Sequence, residues 1–266
     1  MDPLANVIAN PCSLRARENL RDFWLAIGRH QGEFLQAEMA WQGHGDYSVN
    51  ERERLGEIGA RLIAKHAREW AGSIASWARS VHEYDYRLGL YSSCTISGAM
   101  LAKHGAELFS LAPIIEIGLV EPICIEAVVQ MPQLKQLKSL VIESGREFTD
   151  RAAMLVANCP YLEGLVEGSA GGKNLSHAAI RALQNSLYLR NLVAFNVTLP
   201  DGYQPLPGPL SFVQHEGQWW LQNSELAAPY WQAAADAASL ACSSQTYTEE
   251  YKVHWPPNLD ALIWTK

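Results

Sequence analysis

Three stretches hold residue types that could do chemistry. Gly168-Ser169-Ala170-Gly171-Gly172-Lys173-Asn174 has the glycine and lysine content of a phosphate-cradling loop. That loop needs about four residues between its first glycine and the Gly-Lys pair, and a hydroxyl after the lysine to meet Mg²⁺. Only three residues separate Gly168 from Gly172, and Asn174 stands where the hydroxyl belongs. The stretch is expected to be a flexible turn between a strand and a helix. His215-Glu216 begins as a zinc-binding H-E-x-x-H helix would, but Trp219 occupies the second histidine's place and the pattern is that of a hairpin. Gly168-Ser169-Ala170-Gly171 lacks the spacer of a nucleophile elbow. The eight histidines and five cysteines show no metal-ligand or Cys–His spacing. Trp70 and Trp77 are spaced like a core stripe of one helix. No catalytic residue, no metal ligand and no cofactor site is expected, and the chain reads as a non-enzyme.

The composition narrows the partners. Hydrophobic residues make up 48% of the 266 and charged residues 18%, enough apolar material for a sizeable core. The net charge of −7, with no basic block, argues against nucleic acid, because phosphate contacts need clustered cations. No apolar run reaches the length of about 18 residues that a spanning helix needs, so no membrane partner is expected. The opening residues have no secretory pattern. Cys12, Cys94, Cys124, Cys159 and Cys242 are scattered without a C-x-x-C pair, as expected of thiols free of disulfides in a reducing compartment. The sequence-based expectation is a soluble cytoplasmic protein.

The elements follow from a repeated text. An L-x-x-L element starts at Ile114, Leu137, Leu162 and Leu189, at intervals of 23, 25 and 27 residues. Those intervals fall within the ~20–29 residue period of leucine-rich repeats. Apolar segments of helical spacing follow at Ile125–Val129, Ala152–Ala157 and Ala178–Leu183, with Thr149 or Asp150 and Ser176 placed as N-caps. Each unit then reads as a short strand, a helix and a return, and stacking buries what one unit cannot. Leu140, Leu165 and Leu192 are expected in adjacent parallel strands, buried under the helices.

Gly32–Trp41 (GEFLQAEMAW) and Ala99–Leu119 (AMLAKHGAELFSLAPIIEIGL) carry a further likeness. With His66–Ile74 and Tyr86–Leu90 they resemble bacterial leucine-rich-repeat-like proteins that carry a repeat-companion domain. The resemblance spans roughly residues 18–200. It implies a degenerate repeat fold with a binding role, and supplies no catalytic residues to carry over. Pro122 and Gly145 stand where typical repeats place an asparagine after the strand, so a short irregular arc is expected.

Beyond the Pro/Gly-rich boundary near residue 201 the repeat stops. Leu210–Gln214 and Gln218–Gln222 read as a hairpin, Tyr230–Ala241 as a helix and Tyr251–Trp255 as a strand. Five of the nine tryptophans lie in this tail: Trp219, Trp220, Trp231, Trp255 and Trp264. The expected fold class is therefore α/β. Residues 1–80 form a helical segment, 81–200 a short irregular leucine-rich-repeat-like solenoid of parallel strands backed by helices, and 201–266 a tryptophan-rich α+β cap.

Side chains alternate along a strand, so the residues between the buried leucines should line the open face of the sheet. These are Glu116, Gly118, Val120, Ser139, Val141, Glu143, Gly164, Val166, Asn191, Val193 and Phe195, with Trp219 and Trp220 beside them. Such a face, apolar at its centre with carboxylates at one side, should hold another protein whose contact surface is partly basic. An acidic, repeat-built chain suits an antagonist, such as a bacterial immunity protein that occludes a toxin's or effector's active site. The competing readings are a scaffold of a larger complex and a hydrolase with a site outside known motifs.

Overall fold

Capping residues and apolar faces recur through the first third of the chain, and they make it helical. The computed structural model describes residues 2–144, 146–171, 175–199, 203–204, 208–215, 218–223 and 226. Asp2 and Ser13 cap α1 (Pro3–Ala9) and α2 (Leu14–Ala26) by accepting from Leu4 and Ala16 N–H groups. α3 (His30–Trp41) crosses α2 so closely that a Cβ on Gly32 would lie 2.8 Å from the Leu25 nitrogen. α4 (Val49–Ala71) opens with a capping box in which Ser48 and Glu51 satisfy each other's backbone N–H groups.

A small antiparallel pair, β1 (Tyr86–Arg87) and β2 (Leu90–Tyr91), turns through Leu88 and Gly89, both at positive φ. A Cβ on Gly89 would lie 2.5 Å from Leu35, so glycine serves both the turn and the close approach. Fully buried Arg17 holds the turn by donating to the carbonyls of Arg87, Leu88 and Pro11. Its fork of donors suits three converging carbonyls better than an ammonium would.

Strands and helices then alternate: β3 (Ser93–Ser97), α5 (Gly98–Leu111), β4 (Glu116–Val120), α6 (Ile125–Val128), β5 (Ser139–Ile142) and α7 (Asp150–Ala157). β6 (Glu167–Ala170), α8 (His177–Gln184) and β7 (Ala194–Val197) follow, and the hairpin β8 (Ser211–His215) and β9 (Gln218–Gln222) comes last. The result is a mixed α/β protein with eight α-helices among the described residues and one seven-stranded sheet, ordered β3-β4-β5-β6-β7-β9-β8. β3 to β7 are parallel; β9 joins β7 antiparallel and β8 closes the edge. The core lies between the sheet and its helices, with Ile117, Leu119, Leu140, Ile142, Phe195 and Val197 meeting Leu101, Val128, Val156, Ile180 and Leu183. No described helix is long and apolar enough to cross a membrane.

Helices α6, α7 and α8 fall where the sequence places them. Ser176 caps α8 through Ala179 N–H, and Thr149 stands at the N-cap of α7 without a side-chain bond. Asp150 instead reaches to the next unit and accepts from Ser176 N–H at 2.7 Å, stitching the starts of α7 and α8 together.

The repeat register differs from the sequence reading. Glu116, Ser139, Glu167 and Ala194 are paired neighbours, so the strands recur at intervals of 23, 28 and 27 residues. The backbone repeats the same way, with paired N–H groups at Lys138/Ser139, Val166/Glu167 and Val193/Ala194 converging on the carbonyls of Ile115, Lys138 and Val166. Leu165 and Leu192 are therefore buried in the turns before β6 and β7, two residues short of each strand. They match Leu137, and the strand partners of Leu140 are Gly168 and then Phe195. The cause is visible in Leu134-x-x-Leu137-x-x-Leu140, where three leucines at one spacing allow a slip of one step. An earlier unit also went unread, since β3 pairs in parallel with β4 from Ser93 onward.

The hairpin expected in the tail is present, but as β8 and β9 it extends the sheet. The N-terminal helices share its core as well, because Phe34, Ile63, Ala71 and Ile74 belong to the main apolar cluster. The helix expected at Tyr230–Ala241, the strand at Tyr251–Trp255, and Trp231, Trp255 and Trp264 lie outside the described residues.

Candidate functional site: the open face and its cleft

The parallel sheet has one face against α5 to α8, and strand alternation assigns the other face residue by residue. Its middle row runs in register across the sheet as Thr95, Gly118, Val141, Ser169, Asn196 and, on antiparallel β9, Trp220. All six are partly exposed. The row below is Ser93, Glu116, Ser139, Glu167 and Ala194. Glu116 and Glu167 are buried there, at 8% and 2% exposure, and Arg87 Nε stands 3.5 Å from a Glu116 carboxylate oxygen.

The expected contact residues divide three ways. Glu116, Gly118, Val120, Ser139, Val141 and Glu143 keep the open face, although Glu116 and Ser139 are buried in it. Val166, Asn191 and Val193 do not: they precede β6 and β7 and line, with Lys138, Gly164 and Leu226, a separate hollow of about 230 Å³. Val193 packs against the α1–α3 cluster, and Asn191 donates to the Glu163 carbonyl at 2.7 Å. Phe195 is fully buried on the helix side, filling the space in front of Gly168. Trp220 joins the open face as the partner of Asn196, whereas its neighbour Trp219 alternates to the other side. The middle row is consequently small and polar around Val141, where an apolar stripe was expected. The register shift removed Val166, Val193 and Phe195 from it.

At its C-terminal edge the face opens into a cleft of about 490 Å³ lined by Trp77, Arg79, Ser97, Val120, Glu121 and Glu143. The ends of parallel strands are where adjoining connections leave such crevices. Three of these residues are the next row of the same face, since Ser97 pairs with Val120 and Glu143 follows β5. The segment after α4 supplies the wall: Arg79 N–H bonds the Thr95 carbonyl along the edge of β3, and the Trp77 ring stacks on His104 at 4.7 Å. Arg79 Nη1 lies 3.8 Å from Glu143 Oε2, with both side chains largely exposed. The Ser144 hydroxyl donates to Glu121 Oε1 at 2.8 Å, and Glu147 accepts from Ile123 N–H, which fixes the two loops that form the rim.

Sequence reasoning named Val120 and Glu143 but missed Trp77, Arg79, Ser97 and Glu121. Trp70 and Trp77 both pack against the main core, as a core stripe would, but Trp77 lies past the end of α4, where helical spacing no longer applies, and it also lines the cleft. Nothing in the sequence brings residues 77–79 to the ends of β3–β5, because that placement is a tertiary contact.

The reactive side chains lie elsewhere. Cys12, Cys94, Cys124 and Cys159 are free thiols, and Cys242 is outside the described residues. Burial pushes the Cys94 thiol up to about 12 and also raises Cys159, whose Sγ donates to the Val129 carbonyl. Thiols held protonated in this way are poor nucleophiles. Gly168, Ser169 and Ala170, expected in a turn, form β6 itself. Among the described residues no group of three or more His, Cys, Asp or Glu is arranged to hold a metal ion. Comparisons with protein-family models, with curated proteins and with solved structures found no match for this chain.

Proposed function

We propose that the chain is a non-catalytic binding module that holds a protein partner on the open face of its sheet. One observation carries the reading: the row from Thr95 to Trp220 crosses six strands in register, partly exposed throughout, small from Thr95 to Asn196 and ended by the Trp220 indole, and it borders the 490 Å³ cleft. A continuous, partly exposed row beside a recess suits a protein surface with a protruding anchor. On this reading the units from β4 to β7 are a short, irregular leucine-rich-repeat-like solenoid. The likeness of Gly32–Trp41 and Ala99–Leu119 to bacterial repeat-companion proteins supports a binding role, and the acidic, repeat-built character of the chain suits an antagonist working in the cytoplasm, of which a toxin-neutralising immunity protein is one form. The carboxylates of Glu121 and Glu143 favour a partner that is basic where it touches the cleft.

Affinity capture tests the reading. The full chain and its Val141→Arg and Asn196→Arg variants would be used as bait in lysate of the source cell, with mass spectrometry of what each retains. A protein held by the wild-type chain and lost by both variants, with unchanged circular dichroism, is the expected result. Equal retention by all three baits would overturn it. Assaying the captured protein with and without the chain then separates an antagonist, which abolishes its activity, from a scaffold, which leaves it intact.

A further inference from the structure

The cleft has the chemistry to select one kind of side chain. We infer that it seats a guanidinium group, an arginine of the partner, and the identity of the chain that carries that arginine rests on the protein-binding reading above. Two carboxylates, Glu121 and Glu143, face a single guanidinium, Arg79, so the charged lining sums to one negative charge. An entering cation brings it to balance; an entering carboxylate would double the excess.

The existing ion pair leaves room for this. Arg79 and Glu143 stand 3.8 Å apart on largely exposed side chains, the long limit of an ion pair and far from the bidentate geometry that would occupy both oxygens. Glu121 takes the Ser144 hydroxyl on Oε1. Trp77 then decides between cations. A planar guanidinium stacks on an indole and offers paired donors to carboxylates, whereas an ammonium is a compact, strongly hydrated charge that gains less from a flat wall. The Trp77 ring is held in place by its stack on His104. Val120, at the end of β4, gives the methylene stem an apolar surface to lie along. At about 490 Å³ the cleft takes one long side chain together with part of the backbone that bears it.

The test needs no partner. The full chain, labelled with ¹⁵N, would be titrated with N-acetyl-arginine amide, N-acetyl-lysine amide and N-acetyl-citrulline amide, and the Trp77 indole N–H signal, assigned with Trp77→Phe, would be followed. The arginine probe should shift that signal saturably, the lysine probe should bind more weakly, and the neutral citrulline probe should leave it in place. Glu143→Gln and Glu121→Gln should each weaken the arginine probe by about two- to fivefold, the range for losing one exposed charge pair. No shift with arginine, an equal response to citrulline, a lysine probe that binds as tightly, or affinity unchanged in both variants would each overturn the inference. A silent cleft combined with loss of the captured protein in Val141→Arg would leave the open-face reading standing and remove only the arginine. An arginine response without any captured protein would do the reverse.

Discussion

Asp85 is where a single residue most clearly sets a measurable property of the whole chain. It lies at 4% exposure beside Tyr86, Tyr91 and Cys94, and its carboxylate accepts from His82 N–H at 2.7 Å. Burial is the largest influence on it and raises its proton affinity to about 6, well above an ordinary aspartate; the His82 contact opposes this only in part. A folded-state value above the unfolded one means that the folded chain binds more protons between the two. Asp85 therefore favours the folded state below about 4, and that contribution is lost as the pH rises through about 6. Asp150 and Glu51 act oppositely, since bonds from Ser176 and Ser48 hold them below the usual range, and they weaken the fold only at lower pH. Asp85→Asn keeps an acceptor for His82 and removes the titration. Its Tm relative to wild type should rise across pH 4 to 6, and parallel Tm curves would show that Asp85 titrates normally.

Elements show how far the sequence could be read. Helices α6, α7 and α8 were legible because apolar spacing and caps are local signals, and the β8–β9 hairpin was legible from alternation. The registers of β6 and β7 were not, because they depend on a volume exchanged between strands. Gly168 stands where Leu140 stands one strand earlier, and the Phe195 ring from the next strand fills the missing side chain's place. The evenly spaced Leu134, Leu137 and Leu140 do not say which of them Leu165 matches, so the sequence reading falls one step short and puts Val166, Val193 and Phe195 on the wrong face. The exchange has consequences for stability. A Cβ on Gly168 would stand 2.2 Å from the Leu140 carbonyl oxygen, so Gly168→Ala should cost about 1–3 kcal/mol through overpacking. Phe195→Ala should cost about 3–5 kcal/mol, whereas Val141→Arg on the open face should stay within about 0.5 kcal/mol. Urea denaturation checks all three, and a Phe195→Ala variant as stable as wild type would return Phe195 to the surface.

For the whole molecule, the mixed α/β class and the alternation of strands with helices were legible, and the recess was not. It forms only when the segment after α4 is laid along β3, bringing Trp77 and Arg79 over Val120 and Glu143. That arrangement makes the open face more than a flat sheet, and it is the centre of the account. The direct measurement is valine methyl NMR of the full chain with and without the protein that it captures. Binding on the open face should shift or broaden the Val120 and Val141 methyl signals and leave Val49, exposed on α4, unchanged. A complex that leaves Val120 and Val141 untouched, with its shifts elsewhere in the chain, would contradict the account.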